Sequence, residues 1–451
     1  MWQAEVRIDL DAIRDNVATL RARTTAEIMA VVKADGYGHG MLPAARAAVA
    51  GGATWLGVCT LDEALELRRG EVRVPVLAWL VAPGMPLERG IAADIDLNVA
   101  STDQLAEVIA AVRTAGRPSR VHVKLDTGLA RGGAPVAEWP HLLEAVGKAQ
   151  ADGEVEVVGV WSHFACADVP GHESIDRQLA AFAEGLSLAE RYAITPRYRH
   201  IANSAALLTR PDTHYDLVRA GLAVYGLSPL PGEHSAGLRP AMTARARVSL
   251  TKRVPAGQGV SYGLTYVTSR EATLAQVPLG YGDGVPRHAS NVGPVRLAGR
   301  NRTVSGRVCM DQIVVDCGDD PVAPGDVATL FGPGDDGAPT ADDWAEAVGT
   351  ISYEIVTRFG SSRVPRVYDG TAGVPETAAA AHGAHGTETA HGAETAHGAE
   401  TAHGTETAHG TETAAGPEAV GSEDAGPGTA GSDVAGSGTA GSGAATGETS
   451  R

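Results

Sequence analysis

Apolar and polar positions along the first half of the chain follow two alternating periods. Glu5 to Leu10 alternates as a half-buried strand does, and Asp11 to Arg23 places Ile13, Val17 and Leu20 on one helical face. Ile28 to Val32 is a continuous apolar run, the pattern of a strand covered on both faces, and a glycine-punctuated turn leads from it into a helical segment, Met41 to Ala50. The same alternation then repeats. Strand-like runs fall at Trp55 to Cys59, Val74 to Leu80, Asp96 to Ala100, Val121 to Leu125, Val155 to Trp161, Arg199 to Ala202 and Leu217 to Val224. Helical runs between them include Leu61 to Arg69, Pro86 to Ala93, Thr102 to Thr114 (with Ser101 or Thr102 as cap), Pro140 to Ala149 and Asp176 to Tyr192. Eight strands alternating with helices predict a closed (β/α)8 barrel of the TIM type rather than an open sheet.

A connector bearing proline and glycine, Ser228 to Gly237, ends that rhythm. From Ala241 to Asp369 short strands, Gly/Pro turns and one helix, Ala341 to Val348, predict a mostly β domain. The expected organisation is an N-terminal strand at 1–10 pairing with the β domain, the barrel at 11–232, the β domain at 233–370 and a low-complexity tail at 371–451. Beyond Thr371 there is no aromatic residue, leucine or isoleucine, so little apolar burial can offset the entropy of ordering, and the tail is expected to be disordered. His391, His397, His403 and His409 recur every six residues, a step that puts no two successive ones on one helical face; no metal site is expected.

Charge adds little to this picture. Lys and Arg number 37 and Asp and Glu 54, a balance of −17 that argues against nucleic acid or an anionic membrane as partner. The tail carries −10 of it, from eleven acidic residues and one basic one, leaving −7 for the rest. Four scattered cysteines suit a reducing compartment, and no signal peptide or membrane span is visible, so a cytoplasmic location is expected.

In a barrel of this kind chemistry gathers where strands end. Lys33, Lys124 with Asp126, His163, Ser204 and Arg219 all lie at or just past predicted strand ends. A lysine leaving the tip of a buried strand is placed to be a desolvated amine, with lowered pKa and nucleophilic toward carbonyls. The plainer alternative, a strand-capping lysine in an ordinary turn, stays open on that segment alone.

Several motifs narrow the choice: Val32-Lys33-Ala34-Asp35-Gly36-Tyr37-Gly38-His39-Gly40, Lys124-Leu125-Asp126-Thr127-Gly128, Ser162-His163-Phe164-Ala165, His200-Ile201-Ala202-Asn203-Ser204, Arg219-Ala220-Gly221, Val260-Ser261-Tyr262-Gly263, Gly280-Tyr281-Gly282-Asp283-Gly284, Gly306-Arg307-Val308-Cys309-Met310-Asp311 and Tyr353-Glu354. In this order they resemble the alanine racemase family, from about Trp2 to Tyr368. The resemblance implies pyridoxal 5'-phosphate as cofactor, a homodimer with shared active sites, alanine as substrate, and production of D-alanine for peptidoglycan. It implies Lys33 as cofactor lysine and one catalytic base, and Tyr262 from the partner subunit as the other, with His163 giving that phenol a cationic or hydrogen-bonded setting. Arg219 would face the ring nitrogen. Tyr37, Ser204, Gly221, the amide of Leu222 and Tyr353 would hold the phosphate, with Ser204 doubling as a helix cap. Arg131, Met310 and Asp311 would serve the substrate, Tyr281 with Tyr353 would narrow the mouth, and Lys124 matches a lysine carbamylated in many relatives. Where the family usually has glycine this chain has Ala130, which tolerates positive φ poorly and puts the placement of Arg131 in question. Decarboxylases of the same barrel type generally set a carboxylate against the ring nitrogen, and single-domain cofactor carriers lack the β domain; Arg219 and Tyr262 speak against each in turn.

Overall fold

The computed structural model describes residues 2–230, 232, 237–359 and 363–371. The expected disordered tail, beyond Thr371, lies outside the described residues.

The first strand, β1 (Ala4–Asp9), is followed by eight parallel strands. These are β2 (Glu27–Val31), β3 (Trp55–Val58), β4 (Val76–Ala78), β5 (Ile95–Val99), β6 (Ser119–Lys124), β7 (Val155–Trp161), β8 (Tyr198–His200) and β9 (Leu217–Ala220), in the order β8-β7-β6-β5-β4-β3-β2-β9. Two backbone bonds, Asp216 N–H to Arg199 O at 3.2 Å and Arg219 N–H to Ala202 O at 3.0 Å, draw the outer pair together, so the (β/α)8 barrel is nearly closed. Met29, Trp55, Leu77, Val158, Tyr198 and Leu217 come from six different strands and form one buried apolar cluster, which requires them to meet near the barrel axis. Helix starts follow local capping chemistry. Thr60 and Glu63 form a capping box ahead of Leu61–Arg69, and Ser101 rather than Thr102 caps Thr102–Ala115 by accepting from the amide of Gln104.

The remaining strands are β10 (Met242–Arg247), β11 (Leu250–Val254), β12 (Gly259–Val260), β13 (Tyr266–Val267), β14 (Ala272–Val277), β15 (Pro294–Leu297), β16 (Arg300–Thr303), β17 (Ile313–Asp316), β18 (Val327–Phe331) and β19 (Arg366–Asp369). They build sheets of order β16-β15-β18-β10-β1-β19, β11-β14-β17 and β12-β13. β1 pairs antiparallel with β10 and parallel with β19, so the chain begins inside the mostly β domain before entering the barrel.

Two sequence expectations need correction. The last barrel strand stops at Ala220 instead of running to Val224, because Gly221 leaves extended geometry (φ −107°, ψ −97°) and a 3-10 turn, Leu222–Tyr225, follows. The β domain holds a second helix, Ser352–Arg358, beside the expected Ala341–Val348. Its apolar face is short, with only Ile355 and Val356 fully buried, too weak a pattern to read in sequence. Among the described residues no helix is long and apolar enough to cross a membrane.

Candidate active site

Lys33 stands two residues beyond β2, at the head of a turn with left-handed backbone. Ala34 (φ 52°, ψ 51°), Asp35 (53°, 47°) and Gly36 (62°, 42°) are followed by Tyr37 at φ 53°. Left-handed geometry costs an L-residue roughly 1–2 kcal/mol, so the surroundings must hold it. Glu63 accepts from the amide of Ala34 at 2.7 Å, Asp35 accepts from the amide of Met41 at 2.8 Å, and Arg366 of β19 pairs with Asp35. Beneath the turn His39 is fully buried, its Nδ1 3.0 Å from the carbonyls of both Gly36 and Tyr37. Two carbonyls at one nitrogen require that nitrogen to carry the proton. Gly38 closes the segment where a Cβ would meet the carbonyl of Val356 at 2.4 Å, so helix Ser352–Arg358 lies directly on the turn. Lys33 itself is half-buried, with Nζ 5.8 Å from the ring centre of Trp79.

Arg219, on β9, is 4 % exposed and, among the described residues, bonds no carboxylate. Its Nη1 donates to His200 Nδ1 at 3.0 Å; its Nη2 donates to the carbonyls of Ser162 (2.7 Å) and Ile201 (3.2 Å) and to His163 Nδ1 (3.0 Å). Burial pulls the guanidinium down to about 9, still well above neutral pH, so the charge is kept. Trp161 floors this part of the mouth, its ring 4.8 Å from the Arg219 guanidinium and 4.2 Å from Lys124 Nζ.

Lys124 is pulled down to about 8, first by burial and then by Arg219 and Arg131. His163 is held well below its ordinary value by burial, then by Arg219, Arg131, Lys124 and Lys33. All four cations thus act on His163 from one side of the barrel mouth or another, a field suited to anionic groups. That shift favours the neutral ring, the hydrogen-bonded rather than the cationic of the two settings considered for it; with Nδ1 accepting from Arg219, its proton sits on Nε2. In the loop after β6, Asp126 Oδ1 accepts from the amides of Gly128, Leu129 and Ala130 at 2.9, 3.0 and 3.2 Å. That clasp holds Ala130 at φ 55°, so the alanine does take up the left-handed turn, and Arg131 follows it into solvent.

At the far side of the mouth Ser204 Oγ accepts from the amides of Gly221 (2.8 Å) and Ala223 (3.4 Å). The helix Ser204–Thr209 is capped by Asn203, whose Oδ1 accepts from Ala206 N–H, so Ser204 is not the cap it was expected to be. Its hydroxyl is committed to the turn opposite. A Cβ on Gly221 would meet the Tyr37 hydroxyl at 2.6 Å, and Leu222 is buried beside it. The rings of Tyr37 and Tyr353 lie 6.0 Å apart, which brings a β-domain residue to this pocket. Burial raises both phenols, Tyr353 to about 12, so both remain donors.

Tyr262, Tyr281, Met310 and Asp311 form a second group on the β domain, and among the described residues no hydrogen bond, ion pair or ring contact joins it to the barrel mouth. Tyr262 is 70 % exposed and its phenol has no partner among the described residues. Ser261 before it adopts φ 61°, ψ −172°, a region kept almost entirely for glycine. Its hydroxyl donates to the Arg307 carbonyl at 2.7 Å and lies 3.3 Å from Cys309 Sγ. Met310 is 52 % exposed and Tyr281 42 %; Asp311 is paired with Arg363 at 2.7 Å.

Sequence reading passed over Trp161, His122, Asp96 and His39. Asp96 and His122 carried a signal, since each is a polar residue alternating with apolar ones inside a barrel strand (Ile95-Asp96-Leu97 and Val121-His122-Val123). Buried neutral histidines also have a measurable consequence. His39 is lowered to about 4 by burial, and His163 and His200 fall well below 6.5. Each binds its proton first in the unfolded chain, so stability falls as pH drops below 6.5, by up to about 1.4 kcal/mol per unit per histidine. Urea midpoints taken between pH 7.5 and 5.5 should decline below 6.5. A flat profile would show these rings charged or exposed in the folded state.

A barrel with a lysine in a strained turn at its mouth, a buried arginine without a carboxylate, and a β domain offering a free phenol defines a lysine-based, two-domain barrel enzyme of α/β class. Comparison with known proteins is specific. Residues 8–229 match the family model "Alanine racemase, N-terminal domain" and residues 241–368 "Alanine racemase, C-terminal domain". The alanine racemase of Salinispora tropica is 72 % identical over 370 residues, covering 82 % of this chain and 99 % of that protein. The crystal structure of alanine racemase from D-cycloserine-producing Streptomyces lavendulae matches with a TM-score of 0.81 at 54 % identity, covering 82 % of this chain and 98 % of that one. The alanine racemase of Bacillus anthracis with bound L-Ala-P matches with a TM-score of 0.74 at 34 % identity, covering 82 % of this chain and 96 % of that one. The chain belongs to the alanine racemase family, a family of isomerases.

Proposed function

We propose that this chain interconverts L-alanine and D-alanine with pyridoxal 5'-phosphate, as a homodimer in which each site takes Lys33 from one subunit and Tyr262 from its partner. The observation that carries the reading is Arg219: a buried, charged arginine with both terminal nitrogens engaged and, among the described residues, no partner at Nε, at the place where a carboxylate would favour other reactions. The residues present fit the cofactor. Lys33, Lys124, Arg131 and Arg219 favour an anionic group, Nε–H of Arg219 is left for an acceptor nitrogen, and the Ser204 hydroxyl proton, Gly221, the amide of Leu222, Tyr37 and Tyr353 make a cradle that a Cβ at position 221 would fill. When bound, the cofactor's conjugated ring draws electrons from the substrate Cα and makes its proton removable.

The chain's own groups do the rest. The Lys33 amine holds and moves the α-proton on one face, and the partner's Tyr262 phenol does so on the other. His163 supports that phenol as a hydrogen-bond donor through Nε2–H. Arg219 donates without giving up its proton, which limits the electron withdrawal and with it side reactions. Arg131 and the amide of Met310 bind the substrate carboxylate, with Asp311 on the substrate side, while Tyr281 and Tyr353 restrict the mouth to a small side chain. With a pKa of about 8, Lys124 has a neutral fraction available for carbamylation, which would turn it into an anion able to orient Arg131. The exposed Tyr262, Leu264, Val267 and Met310 on the β domain suit burial by a second copy. Unpaired Cys59, Cys166, Cys309 and Cys317 suit the cytoplasm, where the product would supply D-alanine for peptidoglycan.

Deuterium exchange tests reaction, substrate and stereochemistry together. In heavy water both L- and D-alanine should lose their α-hydrogen and give the opposite enantiomer. Exchange without inversion, or no exchange, would refute the reading.

A further inference from the structure

Behind Arg219 a chain of buried polar groups crosses the barrel. His200 Nε2 lies 2.9 Å from His122 Nδ1, His122 Nε2 lies 3.1 Å from Asp96 Oδ2, and Asp96 Oδ1 accepts from Arg120 Nε at 2.8 Å. Asp96 is 1 % exposed, and both histidines are fully buried. Arginine has no acceptor, so its bond to His200 fixes every proton behind it. His200 must accept at Nδ1 and carry its proton on Nε2. It therefore donates to His122 Nδ1, and His122 in turn donates from Nε2 to Asp96.

Local construction favours this arrangement. The β6–β7 ladder shifts register between Val121 and His122, and such bulges re-aim a side chain. Opposite His122 stands Gly159, where a Cβ would come within 2.3 Å of Nδ1. Trp161 stacks on His200 with centroids 5.5 Å apart and planes 7° apart, and the edge of Trp55 meets His122 at 5.4 Å.

We propose that His200, His122 and Asp96 are positioning residues that act as one directed relay, fixing the tautomers that hold Arg219 as a donor toward the site. The relay's effect on turnover rests on the racemase reading; its proton arrangement does not. A carboxylate in direct contact would compete for the guanidinium protons. One reached through two neutral imidazoles, and itself paired with Arg120 (Nε–Oδ1 2.8 Å, Nη2–Oδ2 3.2 Å), orients the protons while only acceptors touch Nη1 and Nη2. The opposite tautomers would set N–H against N–H at His200 and push Arg219 away.

Nitrogen-15 spectra of histidine-labelled protein without cofactor, assigned with His122→Gln and His200→Gln, should show Nδ1 bare and Nε2 protonated on both rings. Asp96→Asn can present an N–H to His122, so it should reverse or mix its tautomer. In the loaded enzyme it should lower kcat about 10–100-fold, as loss of an orienting outer partner does, with KM for alanine within about twofold. Arg120→Gln removes the other partner of Asp96 and should leave tautomers and kcat near wild type. An Nδ1–H tautomer on either ring of the wild-type protein, or wild-type kcat in folded Asp96→Asn, overturns the relay. If Asp96→Asn does not fold, the wild-type tautomers decide alone. Expected tautomers in a protein that does not turn over alanine would sink the functional reading and leave the relay standing.

Discussion

Replacing Lys33 with alanine should abolish the visible absorption band of lysine-bound pyridoxal phosphate and lower racemisation in both directions by more than about 10⁴-fold. A single positioned base contributes typically 10²–10⁴-fold, and this substitution removes the cofactor's anchor as well. Lys124 is the one other lysine at a barrel strand end, and its pKa of about 8 makes it the natural rival. The structure separates the two by setting. Lys33 heads a left-handed turn fixed by Glu63, Asp35 and His39, backbone strain of the kind that collects at functional sites, whereas Lys124 lies in regular strand against Trp161. A Lys33→Ala protein that kept the visible band would transfer the anchor to Lys124.

Tyr262→Phe should divide the two enantiomers. Losing a phenol that serves one face should slow α-hydrogen exchange from one enantiomer by about 10²–10⁴-fold while the lysine-facing enantiomer still exchanges with solvent. Net racemisation should fall in both directions, because every turnover crosses both faces. The phenol is without a partner in its own chain among the described residues, so the change should leave the fold of each subunit intact, checked by an unchanged circular-dichroism spectrum. Equal, modest losses of exchange from both enantiomers would argue against two bases.

Much of the fold was legible because short, mostly apolar strand runs alternate with amphipathic helical ones, and some helix starts are capped. Thr60 with Glu63 and Ser101 with Gln104 mark starts that a single sequence reveals. Places where backbone follows tertiary demands were harder to read. The left-handed run at Ala34 to Tyr37 is imposed by side chains from Glu63 and from β19, far along the chain. Ala130 adopts positive φ because three amides converge on Asp126, a local clasp that outweighs its intrinsic reluctance. Ser204 lies one residue past a capping asparagine, and only the fold reveals that its hydroxyl serves Gly221. The candidate site residues are legible through motif rather than through periodicity. Trp161, His122 and Asp96 lie inside strands, and their role shows only where the fold brings their side chains together beneath Arg219.

Subunit complementation tests the shared site most directly. Lys33→Ala and Tyr262→Phe proteins, each nearly inactive alone, are mixed under conditions that allow dimers to exchange. In a hybrid dimer one site carries both substitutions and the other carries neither. Activity should therefore return to roughly a quarter of the wild-type value at full exchange, since half the dimers are hybrids and half their sites intact. If hybrid dimers form and activity stays at the level of the separate variants, Lys33 and Tyr262 do not meet across subunits, and the account fails.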